Sequence, residues 1–272
     1  MKFSTFTTPQ RFDFMFDLSL SIVSYNNKHT IEECLDSLYK TQSGKHSMQV
    51  FIVNNSQTER CDDLEEKFPV KVIQLPKNEG FGKGHNAVLP LIDSRYHAII
   101  NPDIVFTSDI FDKLIDFLDA NPDVGCVAPL MFGMDGNQQH VYRRELTVVD
   151  FFVRYVPNIL AALPPIKKRN DKHLMNDICK KEPFECEFIQ GSFLVVPTKL
   201  LKELNGFDER YFMYVEDADF CKRIRKTHKV MCYPECQVVH KWEKASHKNF
   251  KLFRIHSASL FKYFRKWGWR LW

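Results

Sequence analysis

The stretch that decides the fold is residues 17–39, where a strand pattern is followed at once by a helix pattern. Residues 17–25 run Asp-Leu-Ser-Leu-Ser-Ile-Val-Ser-Tyr, and this alternation of apolar and polar side chains predicts a β-strand. Residues 30–39 run Thr-Ile-Glu-Glu-Cys-Leu-Asp-Ser-Leu-Tyr, with apolar side chains at helical spacing. Thr30 and Glu33 have the spacing of a capping box, so we expect the helix to begin at Thr30.

Strands and helices continue to alternate toward residue 130. Further strands are predicted at residues 49–53, 70–75, 96–100 and 124–129. Helices are predicted near Leu64, after a glycine-rich loop toward Leu91, and at residues 108–120. This order predicts an α/β fold built on a mostly parallel, doubly wound sheet. Ligands bind at the carboxyl ends of the strands in such sheets, and four polar loops fall there: residues 25–26, 54–56, 77–85 and 101–103.

The second half of the sequence is less regular. A helical, apolar pattern covers residues 146–163, and Pro157 is expected to interrupt it. Residues 164–185 are rich in Lys, Asp, Asn and Pro, which predicts a mobile loop. The remaining elements are a strand at residues 188–196, helices at 198–204 and 215–225, and extended segments at 230–233 and 237–240.

The glycine-rich loop, residues 78–86, runs Asn-Glu-Gly-Phe-Gly-Lys-Gly-His-Asn. Glycines allow a backbone to approach a phosphate closely, and the start of a helix favours anions. The spacing matches neither a dinucleotide fingerprint nor a P-loop. The loop alone therefore fits a phosphate-binding loop and an ordinary flexible turn equally well.

Two groups of acids follow predicted structural elements. Asn101-Pro102-Asp103 ends a strand, where a carboxylate can bind a divalent cation, although Asn-Pro-Asp is also a common turn. Glu216, Asp217 and Asp219 begin a helix after an aromatic run, and acids at that position also stabilise the helix dipole. Among aromatic side chains, one of these carboxyls could have the raised pKa that a general base needs.

Composition excludes several classes of protein. The chain has 272 residues, 44% of them hydrophobic, and a net charge of +4, which is too small to argue for a nucleic-acid-binding domain. Residues 1–10 are polar and no apolar stretch is long enough to span a membrane, so we expect a cytoplasmic location. No Cys-x-x-Cys pair occurs, and reduced, buried thiols are favoured over a metal pair at Cys232 and Cys236.

Taken in order, these segments resemble glycosyltransferase family 2, and within it the rhamnosyltransferase-like members that build bacterial surface polysaccharides. The resemblance runs from about Leu18 to the C-terminus. It is carried by Ile22-Val23-Ser24-Tyr25-Asn26, Val53-Asn54-Asn55-Ser56, Asn78 to Asn86, Asn101-Pro102-Asp103, Gln190-Gly191-Ser192, Gly206-Phe207-Asp208-Glu209, Tyr214-Val215-Glu216-Asp217-Ala218-Asp219 and His240.

The resemblance implies the GT-A nucleotide-diphospho-sugar transferase fold, with helices flanking the sheet and a C-terminal helical extension. It implies a catalytic domain at residues 1–240, with a donor-binding half at about 17–130 and an acceptor half at about 131–240, followed by an extension at 241–272. The implied reaction is transfer of a sugar, with inversion, from a nucleotide diphosphate donor to a hydroxyl of a lipid-linked saccharide. L-Rhamnose from dTDP-rhamnose is the favoured donor.

Roles for individual residues follow from the same resemblance. Asp217 is expected to be the catalytic base, and Glu216 to help hold the acceptor. Asp103 and His240 are expected to hold Mg²⁺ or Mn²⁺. Residues expected to bind the nucleotide sugar are Ser24, Tyr25, Asn54, Ser56, Asn78, Gly80, Phe81, Gly82, Asn86, Asn101 and Gly191. Asn54 and Asn101 stand where the family usually has Asp, and an Asn oxygen still accepts a hydrogen bond from a pyrimidine N–H.

Two other functions stay open from the sequence. One is a family 2 transferase that uses a UDP-hexose. The other is a non-catalytic sugar-nucleotide-binding subunit of an assembly complex, suggested by the missing acid at Asn101.

The basic, aromatic tail at residues 241–272 combines cations with Trp and Phe, which suits a helix at an anionic membrane surface. We expect peripheral contact with the inner face of the cell membrane, mostly through residues 261–272. The alternative is that the helix packs on the catalytic domain, at least in its first half.

Overall fold

The computed structural model describes residues 14–155, 162–178, 180–241 and 250–271. The predicted first unit is confirmed as strand β1 (Phe16–Ser24) followed by helix α1 (Lys28–Thr41). The predicted capping box is wrong. Helix α1 starts earlier, after Asn27, and has no side-chain cap, while Glu33 instead pairs with Lys241 at 2.6 Å.

Twelve strands are present in the described residues. They are β1, β2 (Met48–Asn54), β3 (Val70–Gln74), β4 (Ser94–Ile100), β5 (Ile104–Val105), β6 (Val124–Phe132), β7 (Gln138–Gln139), β8 (Tyr142–Arg143), β9 (Phe184–Glu185), β10 (Phe188–Ile189), β11 (Phe193–Pro197) and β12 (Lys229–His240).

The main sheet has the order β3-β2-β1-β4-β11-β6-β12-β5. Strands β1 to β4 pair in parallel, as do β6 and β12, because a helical crossover separates each pair along the chain. Strand β11 is antiparallel to both β4 and β6. The predicted mostly parallel sheet is therefore correct for the donor half, and β11 joins that half to the rest. Strands β8 and β10 form a separate antiparallel pair.

Helices cover the faces of the sheet. After α1 they are α2 (Leu64–Lys67), α3 (Phe81–Asn86), α4 (Phe111–Ala120), α5 (Val148–Tyr155), α6 (Pro164–His173), α7 (Thr198–Glu203), α8 (Glu216–Ile224) and α9 (Phe250–Trp267). A 3₁₀ turn spans Leu89–Leu91. The buried apolar side chains of strands and helices form one continuous core. The cysteines among the described residues are all free and buried.

Three expectations for the second half need correction. Residues 164–173 form helix α6 instead of a loop, and Arg169 in this helix bonds the buried Asp150 carboxylate of α5 at 2.8 Å. The strand expected at residues 188–196 is split, because the chain leaves the extended path at Gly191. The two extended segments near the end are one strand, β12, with an irregularity between Tyr233 and Gln237. The expected break at Pro157 lies outside the described residues.

The C-terminal helix α9 packs on the preceding part of the protein along most of its length. Ser259 donates to the Met213 carbonyl at 2.8 Å, and Lys262 donates to the Arg210 carbonyl at 2.6 Å. Near the end of the helix, Trp267 Nε1 donates to the buried Asp219 carboxylate at 2.8 Å. Packing thus extends beyond the first half of the tail. Among the described residues, no helix combines the length and apolar character needed to cross a bilayer. Trp242, Lys244, Lys248 and Trp272 of the tail lie outside those residues.

Candidate active site

The first two parallel strands end side by side, with Ser24 opposite Asn54. The Asn55 N–H donates to the Ser24 carbonyl at 2.8 Å, which closes the two loops onto each other. Tyr25 lies beyond this contact and is exposed. The carboxyl ends of β1 and β2 therefore form one rim with an aromatic side chain open to solvent.

Asn54 is fully buried and its amide holds the loop that follows it. Its Nδ2 donates to the Glu59 carbonyl at 2.7 Å and to Gln74 Oε1 at 2.9 Å. Its Oδ1 accepts from the Ser56 N–H at 2.9 Å. Ser56 in turn bonds the Asn26 side chain through its hydroxyl. Asn54 and Ser56 thus support this rim through hydrogen bonds of their side chains within the protein.

Asn55, which sequence reasoning did not single out, fixes the glycine-rich loop. Its Nδ2 donates to the Gly80 carbonyl at 3.0 Å, and its Oδ1 accepts from the Glu79 N–H at 3.1 Å. Gly80 has φ of +87°, and a Cβ there would lie 2.0 Å from the Phe212 carbonyl oxygen. Only glycine fits this backbone and this close approach. Asn78 caps the same turn by accepting from the Gly80 N–H at 3.0 Å.

Asn86, at the end of α3, ties the loop to the segment before α8. Its amide makes two bonds with Phe207, one to the carbonyl and one from the N–H, each of 2.8 Å. A Cβ on Gly82 would lie 2.8 Å from Phe207 Cβ, so this glycine permits close packing of the two segments. The glycine-rich loop is therefore attached on both sides, to β2 through Asn55 and to residues 207–212.

Gly191 lies between β10 and β11, where the chain contacts the acidic helix α8. Its N–H donates to Asp217 Oδ2 at 3.0 Å. A Cβ on Gly191 would lie 3.0 Å from the Phe81 ring and 3.5 Å from Asp217 Cβ. The next carbonyl, of Ser192, accepts from the Asn101 N–H at 2.9 Å. The structure therefore brings Phe81, Gly191 and Asp217 together beside the loop that carries Asn101 and Asp103.

Asp103 and His240 are brought together by the pairing of β5 with β12. His240 Nε2 lies 3.2 Å from Asp103 Oδ1, and the two buried atoms do not meet with hydrogen-bond geometry. Gln139, a residue without any signal in the sequence, accepts through Oε1 from the His240 Nδ1–H at 2.7 Å and so orients the ring. A carboxylate oxygen and an imidazole nitrogen facing each other fit a shared divalent cation. Within the described ranges, no group of three or more His, Cys, Asp or Glu side chains forms a metal cage.

The backbone leading into α8 is unusual. Tyr214 and Val215 have φ of +71° and +69°, a left-handed conformation that a β-branched residue rarely adopts. Such strain persists only where surrounding contacts enforce it, and it is common at functional sites. Here it turns the chain so that Glu216 and Asp217 start the helix next to Gly191.

The two carboxyls at this turn have different surroundings. Glu216 is buried, and its Oε2 has no hydrogen-bond partner among the described residues. Burial, followed by the charge of Asp217, raises the pKa of Glu216 to about 8. Burial also raises the pKa of Asp217, but the N–H groups of Ala218 and Gly191 oppose that rise by donating to its carboxylate. Glu216 therefore holds a proton at neutral pH in preference to Asp217.

The third acid of the motif, Asp219, is structural. It is fully buried and accepts from Arg223 at 2.8 Å, Lys266 at 2.6 Å and Trp267 at 2.8 Å. Two of these donors come from α9, which fixes α8 from behind. The sequence offered only the cations and Trp of the tail as a signal for this contact.

Comparison with known proteins identifies a family and several relatives that the chain resembles. Residues 19–190 match the family described as "Glycosyl transferase family 2". The chain is 26% identical over 245 residues to the N-acetylglucosaminyl-diphospho-decaprenol L-rhamnosyltransferase of Mycobacterium tuberculosis, an alignment that covers 82% of this chain and 75% of that protein. It is 27% identical over 195 residues to the rhamnosyltransferase WbbL of Escherichia coli, covering 68% of this chain and 69% of that protein.

Solved structures share the fold. A GalNAc-T7 structure with UDP, GalNAc and Mn²⁺ superposes with a TM-score of 0.67 at 18% identity, over 92% of this chain. This chain spans about half, 48%, of that one. The S. aureus TarS fragment 1–349 superposes with a TM-score of 0.56 at 18% identity, over 92% of this chain and 72% of the fragment.

Proposed function

The chain belongs to glycosyl transferase family 2, and we propose that it transfers L-rhamnose from dTDP-rhamnose, with inversion, to a hydroxyl of a lipid-linked saccharide in bacterial surface polysaccharide synthesis. That it is a glycosyltransferase with the GT-A fold follows from the family and from the solved structures that share its architecture. Its rhamnosyltransferase relatives support the choice of sugar. The single observation that carries the mechanism is the contact between the Gly191 N–H and the Asp217 carboxylate, beside Phe81.

Asp217 acts as the general base in this proposal. Its carboxylate takes the proton of the acceptor hydroxyl while that oxygen forms a bond to the anomeric carbon of the donor. The bond from the anomeric carbon to the diphosphate breaks on the opposite side, and the nucleoside diphosphate leaves with the electron pair. The N–H groups of Gly191 and Ala218 hold the carboxylate in place, and its raised pKa makes it a better base than an exposed Asp.

Glu216 holds the acceptor through its proton. Because its pKa lies near 8, it is a carboxylic acid at neutral pH and can donate through the buried Oε2 that lacks a partner among the described residues. A hydroxyl oxygen of the acceptor is a suitable recipient. Two adjacent carboxyls thereby serve different roles because their surroundings differ.

Asp103 and His240 hold Mg²⁺ or Mn²⁺ in the proposal, with Asn101 as a weaker helper. The bound cation would neutralise charge on the leaving diphosphate. Structures of two proteins with this fold, GalNAc-T7 and the mannosyltransferase PcManGT, contain Mn²⁺. The Asp103 and His240 side chains would supply one oxygen and one nitrogen to the cation.

Donor contacts are proposed along the rim and the glycine-rich loop. The nucleoside lies against Ser24, Tyr25, Asn54 and Ser56, and the diphosphate and sugar against Asn78, Gly80, Phe81, Gly82, Asn86, Asn101 and Gly191. Tyr25 is the exposed aromatic side chain on this rim and suits stacking on a base. We further propose a catalytic domain at residues 1–240 and peripheral attachment of the extension to the inner face of the cell membrane, where a lipid-linked acceptor lies.

The donor is tested by thermal shift with dTDP- and UDP-sugars, each with Mg²⁺, Mn²⁺ or a chelator. We expect dTDP-rhamnose with metal to raise the melting temperature most, because a ligand that binds only the folded state stabilises it. A larger shift with a UDP-hexose would replace the proposed donor with the UDP-hexose alternative.

The reaction is tested by transfer assays on Asp217→Asn. A positioned base accelerates the reaction by roughly 100- to 10,000-fold. We therefore expect kcat to decrease by a factor in that range, while donor binding is kept. Full activity in Asp217→Asn would remove Asp217 from the mechanism. An unaltered chain that binds donor but neither hydrolyses nor transfers it would instead be a non-catalytic binding subunit.

A further inference from the structure

Helix α9 has one side bound to the protein and one side exposed. On the bound side, Ser259 donates to the Met213 carbonyl at 2.8 Å, and Tyr263 and Phe264 are buried in the core. Part of the most aromatic segment of the tail is therefore turned inward, while Phe261 and Trp269 stay exposed. What remains exposed on α9 defines the surface that a partner can meet.

Three phenylalanines near the start of α9 and on α5 form a continuous aromatic patch. Phe250 is 74% exposed, Phe253 37% and Phe152 62%. Their rings are linked in a chain, since Phe250 stacks on Phe253 at 6.4 Å, Phe253 on Phe151 at 6.3 Å, and Phe151 contacts Phe152 at 5.5 Å. Contiguous exposed apolar side chains of this kind mark an interaction site.

Cations border the patch along the same helix. At 100° per residue, Phe250, Phe253 and the exposed Phe261 fall within an arc of about 80°. Arg254 and Arg265 lie next to this arc, within about 20° of each other. Both arginines are exposed, and neither has a hydrogen bond or ion pair with the described part of the chain. The outer side of α9 is thus itself divided into an aromatic half and a basic half.

We propose that this surface, formed by Phe152, Phe250, Phe253, Phe261, Arg254 and Arg265, docks on an anionic lipid bilayer. Phenylalanines insert at the boundary between headgroups and acyl chains, and arginines pair with anionic headgroups. The charge pattern favours lipid over a second copy of this chain, since apposing two copies would bring the arginines of both together. The proposal rests on the proposed function, because a lipid-linked acceptor gives the enzyme a reason to sit on the bilayer.

The surface lies one helix diameter from the acceptor side of the active site. On its inner side, α9 bonds Met213 through Ser259, and His256 contacts the Tyr214 ring at 5.0 Å. Met213 and Tyr214 lead directly to the base-bearing turn at Glu216. A helix with its side chains is about 10 Å across, so the docked bilayer would lie close enough for the head of a membrane-anchored acceptor to reach Asp217.

The proposed surface extends beyond the residues expected from the sequence. Residues 261–272 contribute Phe261 and Arg265, and the exposed Trp269 contacts the Phe261 ring at 5.7 Å. Tyr263 and Phe264 are buried, and Trp267 bonds Asp219. The first half of α9 and helix α5 supply the rest. Substitutions can therefore separate this surface from the tail as a whole.

Vesicle flotation with the full chain tests the proposal. We expect binding to vesicles of phosphatidylcholine with 30% phosphatidylglycerol, and roughly tenfold or more weaker binding for the triple variant Phe152→Ser, Phe250→Ser, Phe253→Ser. The double variant Arg254→Gln, Arg265→Gln should lose the preference for anionic over pure phosphatidylcholine vesicles. Met15→Ser is the matched control, because Met15 is 72% exposed, precedes β1 and is not part of the proposed surface, and it should bind like the unaltered chain.

Two measurements distinguish failure of the proposed lipid-binding surface from failure of the proposed sugar transfer. Transfer to a water-soluble acceptor should be the same in the triple variant and the unaltered chain, while transfer to an acceptor embedded in vesicles should fall with vesicle binding. Equal flotation of the triple variant and the unaltered chain would overturn the lipid surface even if sugar transfer is intact. A dimer that the triple variant abolishes, without any vesicle binding, would assign the surface to self-association and overturn the proposal as well.

Discussion

Replacing Glu216 with Gln should change how stability depends on pH. Burial and the neighbouring Asp217 raise the pKa of Glu216 from 4.5 to about 8 in the folded chain. Between these two values the unfolded chain loses this proton and the folded chain keeps it. The contribution of Glu216 to stability is therefore fully present below pH 4.5 and is lost as pH rises toward 8.

The size of the effect follows from the two pKa values. Each pH unit between them lowers the free energy of unfolding by about 1.4 kcal/mol, so at pH 7 the loss from Glu216 is about 3 kcal/mol. Gln has nearly the shape of the protonated acid and does not ionise. Glu216→Gln should match the unaltered chain near pH 4.5 and exceed its stability by about 3 kcal/mol at pH 7.

Urea denaturation at pH 5, 6, 7 and 8 measures this difference directly. Glu203→Gln is the control, because Glu203 is an exposed acid on α7 and its removal should leave the pH profile unchanged. The reasoning is refuted if the stability difference between Glu216→Gln and the unaltered chain stays constant from pH 5 to pH 7. That result would mean that Glu216 is ionised in the folded chain.

Three further predictions concern the loop, the metal site and the C-terminal helix. Gly80→Ala should lower the free energy of unfolding by about 2 kcal/mol or more and abolish the thermal shift with donor, because its Cβ would lie 2.0 Å from the Phe212 carbonyl oxygen. The control Gly136→Ala, at φ of +74° with open space around it, should lower it by only about 1 kcal/mol. Asp103→Asn should raise the metal concentration needed for half-maximal transfer and leave chelator-treated protein folded; a metal titration that superposes on the unaltered chain would rule out Asp103 as a ligand. Trp267→Phe should lower the free energy of unfolding by about 2 kcal/mol, since it removes a donor to the buried Asp219 carboxylate, whereas Trp269→Phe at an exposed position should be neutral in the same urea titration.

The donor half could be predicted closely because its pattern is local. Strands β1, β2 and β4 are mostly buried, and β1 to β4 alternate with helices and end in polar loops. Each of these features can be recognised from neighbouring residues in the sequence. The capping box failed because the Asn27 side chain already accepts from the Tyr25 N–H at 3.0 Å and fixes an earlier start. Helix α6 was missed because its polar composition is compensated by a tertiary ion pair from Arg169 to Asp150.

The sequence predicted which motifs lie at the candidate site better than it predicted what each residue does there. Short segments identified Asp217, Asp103 and His240, since the chemistry of a carboxylate or imidazole is visible in sequence. The split of the strand at Gly191 was not visible, because it depends on a hydrogen bond to Asp217. The proton on Glu216 and the structural role of Asp219 depend on burial and on donors from α9, which no local pattern contains.

The attachment of α9 to Asp219 also sets an order of events during synthesis. The acid-bearing helix α8 is translated before Lys266 and Trp267, two donors to its Asp219 carboxylate. Until then the donors to the Asp219 carboxylate among the described residues are Arg223 and the Tyr211 hydroxyl. The turn that carries Glu216 and Asp217 therefore reaches its final packing only after α9 has been made.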